Sequence, residues 1–180
     1  MNVGEELVSE YLEYIKECEL VLQNLYTPEV EGEIDVVGFD FHNNVVYVCI
    51  VAMDLEAGLM YVDPLTPKPI NSSNLIEKFT KGIEYANMVF PNYSKVFMLW
   101  SPQVKDQTTP KTQIQLQDLE EVSRYLQEKY NVEPQLIINK RFYECLQEMK
   151  AHANKGGKEI KRPFMRFFQL ETCLEKSKFK

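Results

Sequence analysis

Leu7, Tyr11, Tyr14, Ile15 and Cys18 recur at spacings of three and four, which draws one apolar stripe along a helix from Val3 to about Cys18. Apolar residues crowd from Leu20 to Tyr26 without a clean period. That stretch is open to a continued helix and is read here as a strand. Thr27-Pro28 closes it, because the residue before a proline avoids the helical region. Glu31 to Asp40 and Val45 to Met53 then read as two adjacent strands joined by a tight turn at Asn43-Asn44. In the second strand Val46, Val48, Ile50 and Ala52 share one face, and Tyr47, Cys49 and Val51 the other. Both faces are apolar, as expected of a central strand covered on both sides.

The pattern next becomes a loop over residues 63–74, rich in proline, asparagine and serine. Asn74-x-x-Glu77 resembles a capping box, opening a helix whose buried face is Leu75, Phe79, Ile83, Ala86 and Phe90. Lys95 to Trp100 is a short apolar strand. Ser101 to Gln117 reads as an exposed polar excursion, and Asp118-x-x-Glu121 as a second capping box for a helix running to Tyr130. Leu136-Ile137-Ile138 is a strand, followed by a helix from about Arg141 to His152. After a break at Asn154-Lys155-Gly156-Gly157, Pro163 to Lys180 predicts a last helix, with Phe164, Phe167, Phe168 and Cys173 or Leu174 facing inward. Hairpin strands first and alternating elements later predict a single α/β domain over residues 1–180, a mixed β-sheet flanked by helices on both faces. Residues 154–180 form its basic, helical C-terminal extension.

Charge changes the picture in one respect. The chain carries a net charge of −7, which argues against a protein that coats nucleic acid non-specifically. From Lys150 onward, however, nine basic residues face three acidic ones. Lys161, Arg162 and Arg166 in this tail are candidate phosphate contacts, and a solvated helix end is the commoner use of such a cluster. The acidic remainder offers a surface for a basic protein partner. Cys18, Cys49, Cys145 and Cys173 are scattered, without the paired spacing of a zinc site. Reduced core thiols and a cytoplasmic location are the expectation. No apolar run reaches the roughly 20 residues of a membrane span, and the N-terminus has no basic region followed by an apolar block.

The most pointed chemistry is Asp35, set among Ile34, Val36 and Val37, since a carboxylate in apolar surroundings is costly unless it binds a metal or a partner. Gly4-Glu5-Glu6-Leu7-Val8-Ser9-Glu10-Tyr11-Leu12 followed by Gly32-Glu33-Ile34-Asp35 resembles the opening helix and the G-E-I-D strand of PD-(D/E)XK nucleases of the resolvase-like kind. The likeness covers about residues 4–53. It implies a restriction-endonuclease-like fold, Mg²⁺-dependent cleavage of DNA, Asp35 as a metal ligand and Glu5 as its support through water. Glu33, two residues before Asp35, is a second candidate metal ligand. The following strand departs from the family. Ile50 stands where its acid belongs and Ala52 where its lysine belongs. Losing a metal ligand and a cation that steadies phosphate charge predicts little or no cleavage. The expectation is therefore a degenerate nuclease-like protein with a nucleic-acid-related binding or regulatory role. Two alternatives stand beside it. One is an active metal-dependent DNA endonuclease in which Asp54 or Glu56 supplies the missing acid. The other is an interaction or immunity protein of a defence or toxin system.

Overall fold

The computed structural model describes residues 2–53, 55, 59–61, 68–69, 72–106, 115–156 and 158–177. The hydrophobic pattern around residues 20–51 becomes three consecutive strands, β1 (Leu20–Thr27), β2 (Gly32–Asp40) and β3 (Val45–Val51). They pair antiparallel in sequence order, with Val36 opposite Cys49 and Val37 opposite Val48. β1 is thus a strand and does not continue the preceding helix. A short 3₁₀ turn, Pro28–Val30, separates it from β2. The β2–β3 turn is fastened by Asp40, whose carboxylate accepts the backbone N–H of Asn43 at 2.8 Å and its side-chain amide at 2.7 Å.

A two-residue pair, β4 (Met60–Tyr61) and β5 (Lys68–Pro69), forms a separate small sheet, and β5 falls within the stretch expected to be loop. The chain then crosses over through α2 (Ser72–Val89) to β6 (Ser94–Ser101), which runs parallel to β3. α3 (Gln115–Tyr130) leads to β7 (Gln135–Ile138), parallel to β6. The result is one five-stranded mixed sheet in the order β1-β2-β3-β6-β7.

Two apolar layers cover it. On one face α2 and α3 pack through Leu75, Phe79, Ile83, Leu119, Val122 and Leu126 onto Val37, Val46, Val48, Ile50 and Leu99. On the other lie α1 (Val3–Tyr14), α4 (Asn139–Ala153) and α5 (Pro163–Ser177), which enclose Val36, Cys49, Met98 and Trp100. The expected α/β class, with a mixed sheet between helices, is the observed one. The alternation read in β3 also holds, since Val46, Val48 and Ile50 belong to the first layer and Cys49 to the second. Gly38 permits the close seat of α1, because a Cβ there would stand 2.9 Å from Leu12 Cδ1 and 3.0 Å from Cys18 Sγ.

Several boundaries differ from expectation. α1 stops at Tyr14, and Glu17 takes a left-handed conformation (φ 58°) that turns the chain into β1. α2 begins at Ser72 and α3 at Gln115, so Asn74 and Asp118 lie inside the first turns and not ahead of them. Gln115 is buried because its Oε1 accepts the backbone N–H of Lys105 at 3.0 Å and of Leu59 at 3.2 Å. α5 keeps Phe164 and Phe168 of the expected inward face and loses the rest. Met165 and Phe168 face inward, while Phe167, Cys173 and Leu174 are exposed. The aromatic run over 164–168 allowed two phases, and Met165 took the core position. The other three cysteines are buried, and burial pushes the Cys18 thiol up to about 12.

Candidate functional site

Asp35 sits where β2 parts from β3 and where its pairing with β1 skips one position. The β1–β2 register passes over Asn24 and Asp35, and the β2–β3 register ends at Val36 opposite Cys49. Asn24 is left-handed (φ 51°), a conformation asparagine accepts more readily than most residues. Beyond the end of the β2–β3 ladder, the Val51 N–H donates to Asp35 Oδ2 at 2.7 Å. β3 meanwhile keeps to β6, with the Ala52 N–H donating to the Trp100 carbonyl at 2.8 Å. A side-chain carboxylate thus continues the hydrogen bonding where the strand backbones separate.

The second oxygen has a different neighbour. Lys78, on α2, places its Nζ 3.6 Å from Asp35 Oδ1. The Asp35 side chain is 13% exposed and that of Lys78 47%. Beneath the pair lies a cavity of about 10 Å³, lined by Asp35, Ile50, Val48, Lys78, Phe79 and Glu33 among others. That volume suits about one water molecule. Asp35 and Ile50 therefore occupy adjacent strands, as the hairpin reading expects, and they line the same cavity. Ile50 is buried and Ala52 packs at the margin of the same apolar layer.

Glu33 reaches this cavity from an exposed position, whereas Glu5 does not line it. Glu5 is buried on α1 and accepts from the side-chain amides of Asn2 and Asn24, the latter at 3.0 Å. Asn24 is the residue that the register would set opposite Asp35, so Glu5 fastens the strand beside Asp35 and not Asp35 itself. Asp54 and Glu56 lie outside the described residues.

Mg²⁺ requires near-octahedral oxygen ligands at about 2.0–2.1 Å. Here one oxygen of Asp35 is held by a backbone N–H, the other faces an ammonium, and the opposite wall is Ile50. Among the described residues no group of three or more His, Cys, Asp or Glu side chains is placed to hold a metal. The described donor set does not fit the ion.

The basic cluster is largely committed within the chain. Arg162 holds Glu13 through two nitrogens at 2.7 and 2.8 Å and lies 3.6 Å from Glu6. The Glu13 carboxylate raises the Arg162 pKa above its ordinary value. Arg166 pairs with Glu159 at 3.3 Å, and Lys161 is exposed.

Two residues at the centre of these arrangements carry no local motif. Lys78 is 43 positions from Asp35 in sequence, and only the seating of Phe79 and Gly82 on the sheet brings it there. Glu10 is fully buried, and its carboxylate accepts the N–H of Phe164 at 3.0 Å and of Met165 at 2.8 Å, closing the start of α5. Burial raises its pKa, against the opposing pull of those two N–H groups. Its signal was legible, since Glu10 falls three residues after Leu7 and four before Tyr14, on the apolar stripe of α1. Compared with protein-family models, curated proteins and solved structures, the chain matches none of them.

Proposed function

We propose that this chain is a nuclease-like α/β domain without efficient phosphodiester cleavage, serving a nucleic-acid-related binding or regulatory role. The observation that carries this reading is the commitment of Asp35. Its carboxylate bridges the Val51 N–H and the Lys78 ammonium over a cavity walled by Ile50. Cleavage through a divalent ion asks that carboxylate for free lone pairs and asks the neighbouring strand for a second acid. Ile50 offers a hydrocarbon where the resemblance calls for that acid. The resemblance of Gly32-Glu33-Ile34-Asp35 to the nuclease strand supplies the nucleic-acid side of the proposal.

Lys78 favours a second reading. It brings back, from a helix, the cation that Ala52 lacks, as an active endonuclease with a relocated acid would need. The test is a pair of assays on linear duplex DNA at low salt, one of retention and one of Mg²⁺-dependent cleavage. Retention without cleavage is the expected result. Cleavage abolished by both Asp35→Ala and Lys78→Ala would replace the first reading with the second. Neither retention nor cleavage would remove the nucleic-acid role.

A further inference from the structure

We propose that the outer edge of β1 docks an extended segment of another protein, one whose uncharged centre pairs with β1 and whose ends carry lysine or arginine. Such docking is independent of the chemistry at Asp35.

Three observations carry it. The first is a free edge. β1 stands at one end of the sheet order, beside β2 alone. Among the described residues no strand pairs with its other side, so about every second backbone N–H and carbonyl of β1 points outward. The opposite edge is different. β7 has four residues and follows Pro134. β1 has eight, none of them charged and none a proline. The usual safeguards of an exposed edge are thus missing from β1, apart from the skipped position at Asn24.

The second is rigidity. Gln23 donates to Glu6 at 2.8 Å and to Ser9 Oγ at 2.9 Å, and Asn24 donates to Glu5 at 3.0 Å. α1 therefore holds the strand from one face, and a strand already held loses little freedom when a partner pairs with it. Exposed Leu20 and Tyr26, near the two ends of the strand, add apolar surface for the partner's side chains.

The third is charge, and it chooses the occupant. Glu17 and Glu19 precede the strand, and Glu29 and Glu31 follow it. All four are exposed, and among the described residues none of them forms a salt bridge. A second copy of the chain, paired antiparallel, would set the acids before one strand against the acids after the other. Paired parallel, it would set each acidic pair against its like. Both arrangements are repulsive. A segment with basic ends is attracted at both ends of β1.

The test is fluorescence anisotropy of the full chain with labelled probe peptides whose centre alternates threonine and valine over about eight residues. One probe carries two lysines at each end and another two glutamates. A third is lysine-ended with its central backbone nitrogens methylated, which keeps the charge and removes the pairing donors. The lysine-ended probe should bind at least about tenfold more tightly than the glutamate-ended one. Methylation should abolish binding, and hydrogen exchange should slow in β1 and not in β7. The double variant Glu29→Lys with Glu31→Lys alters only exposed side chains and should reduce the preference for lysine ends by about tenfold. Unfolding by heat checks that this variant is folded.

Absence of saturable binding up to about 1 mM overturns the proposal. So does equal binding of the methylated probe, which would reduce the contact to charge alone. Slowed exchange confined to other elements would place the peptide elsewhere. Sedimentation of the chain alone as a dimer, with β1 protected from exchange, would give the edge to a second copy and also overturns it.

Discussion

Asp35 and Glu10 both accept backbone N–H groups across the packing of the molecule, yet their surroundings differ. Glu10 is fully buried and each of its oxygens takes one N–H from the first turn of α5. Asp35 takes a single N–H with one oxygen, at a gap in the sheet, and turns the other toward a half-exposed lysine and a small cavity. The first arrangement is complete. It fastens the C-terminal helix to α1 and leaves no lone pair directed at solvent chemistry. The second holds its partner through a longer, more exposed contact. A buried carboxylate is therefore weak evidence for a reactive site until its partners are counted.

Breaking the Glu10 arrangement should have the larger effect. Glu10→Ala leaves the Phe164 and Met165 N–H groups without acceptors, and the expected loss is about 2–4 kcal/mol in urea unfolding. Hydrogen exchange should rise most in α5. A loss below about 1 kcal/mol would mean that water replaces the carboxylate and that α5 does not depend on it.

Asp35→Ala should cost less, about 1–2 kcal/mol, by stranding the Val51 N–H and the Lys78 charge. Asp35→Asn keeps an acceptor for Val51 and should recover part of that loss. Equal destabilisation by the two substitutions would show that the charge of Asp35, and not its hydrogen bond, holds the gap.

The pH response sharpens the contrast. Burial raises the Glu10 pKa above its ordinary value of 4.5, so folding favours its protonated form. Its linked contribution to stability is full below that ordinary value and is lost as pH rises through the folded pKa. Stability of wild type minus that of Glu10→Gln should therefore fall as pH rises above the ordinary carboxyl range. A difference that grows with pH over that range would reverse the sign assigned to Glu10.

Lys78→Met should have the smallest effect on stability, below about 1 kcal/mol, because an ion pair with one half-exposed partner is worth little. A larger loss, measured by the same urea unfolding, would make Lys78 a structural anchor.

The sequence made the sheet legible where side-chain alternation is unambiguous. The β2–β3 hairpin, the two-sided burial of β3 and the central place of β6 all follow from apolar period, and so does the placement of Asp35 and Ile50 on adjacent strands. Helix phase and helix starts were less legible. α5 carries four aromatic or sulfur-bearing residues within Phe164 to Phe168, enough to satisfy more than one inward face. The burial of Gln115, in the first turn of α3, rests on backbone N–H groups from other segments, at Leu59 and Lys105. Lys78 was illegible for the same reason. Its meaning depends on how α2 crosses the sheet, and no local spacing encodes that crossing.

The central claim is that the Asp35 site does not cleave phosphodiesters. Single-turnover incubation of end-labelled linear duplex DNA with excess protein and Mg²⁺, wild type beside Asp35→Ala, tests it most directly. The account predicts intact substrate in both. Cleavage by wild type that disappears in Asp35→Ala would contradict it, and would bring Asp54 and Glu56 forward as the acids that complete a working site.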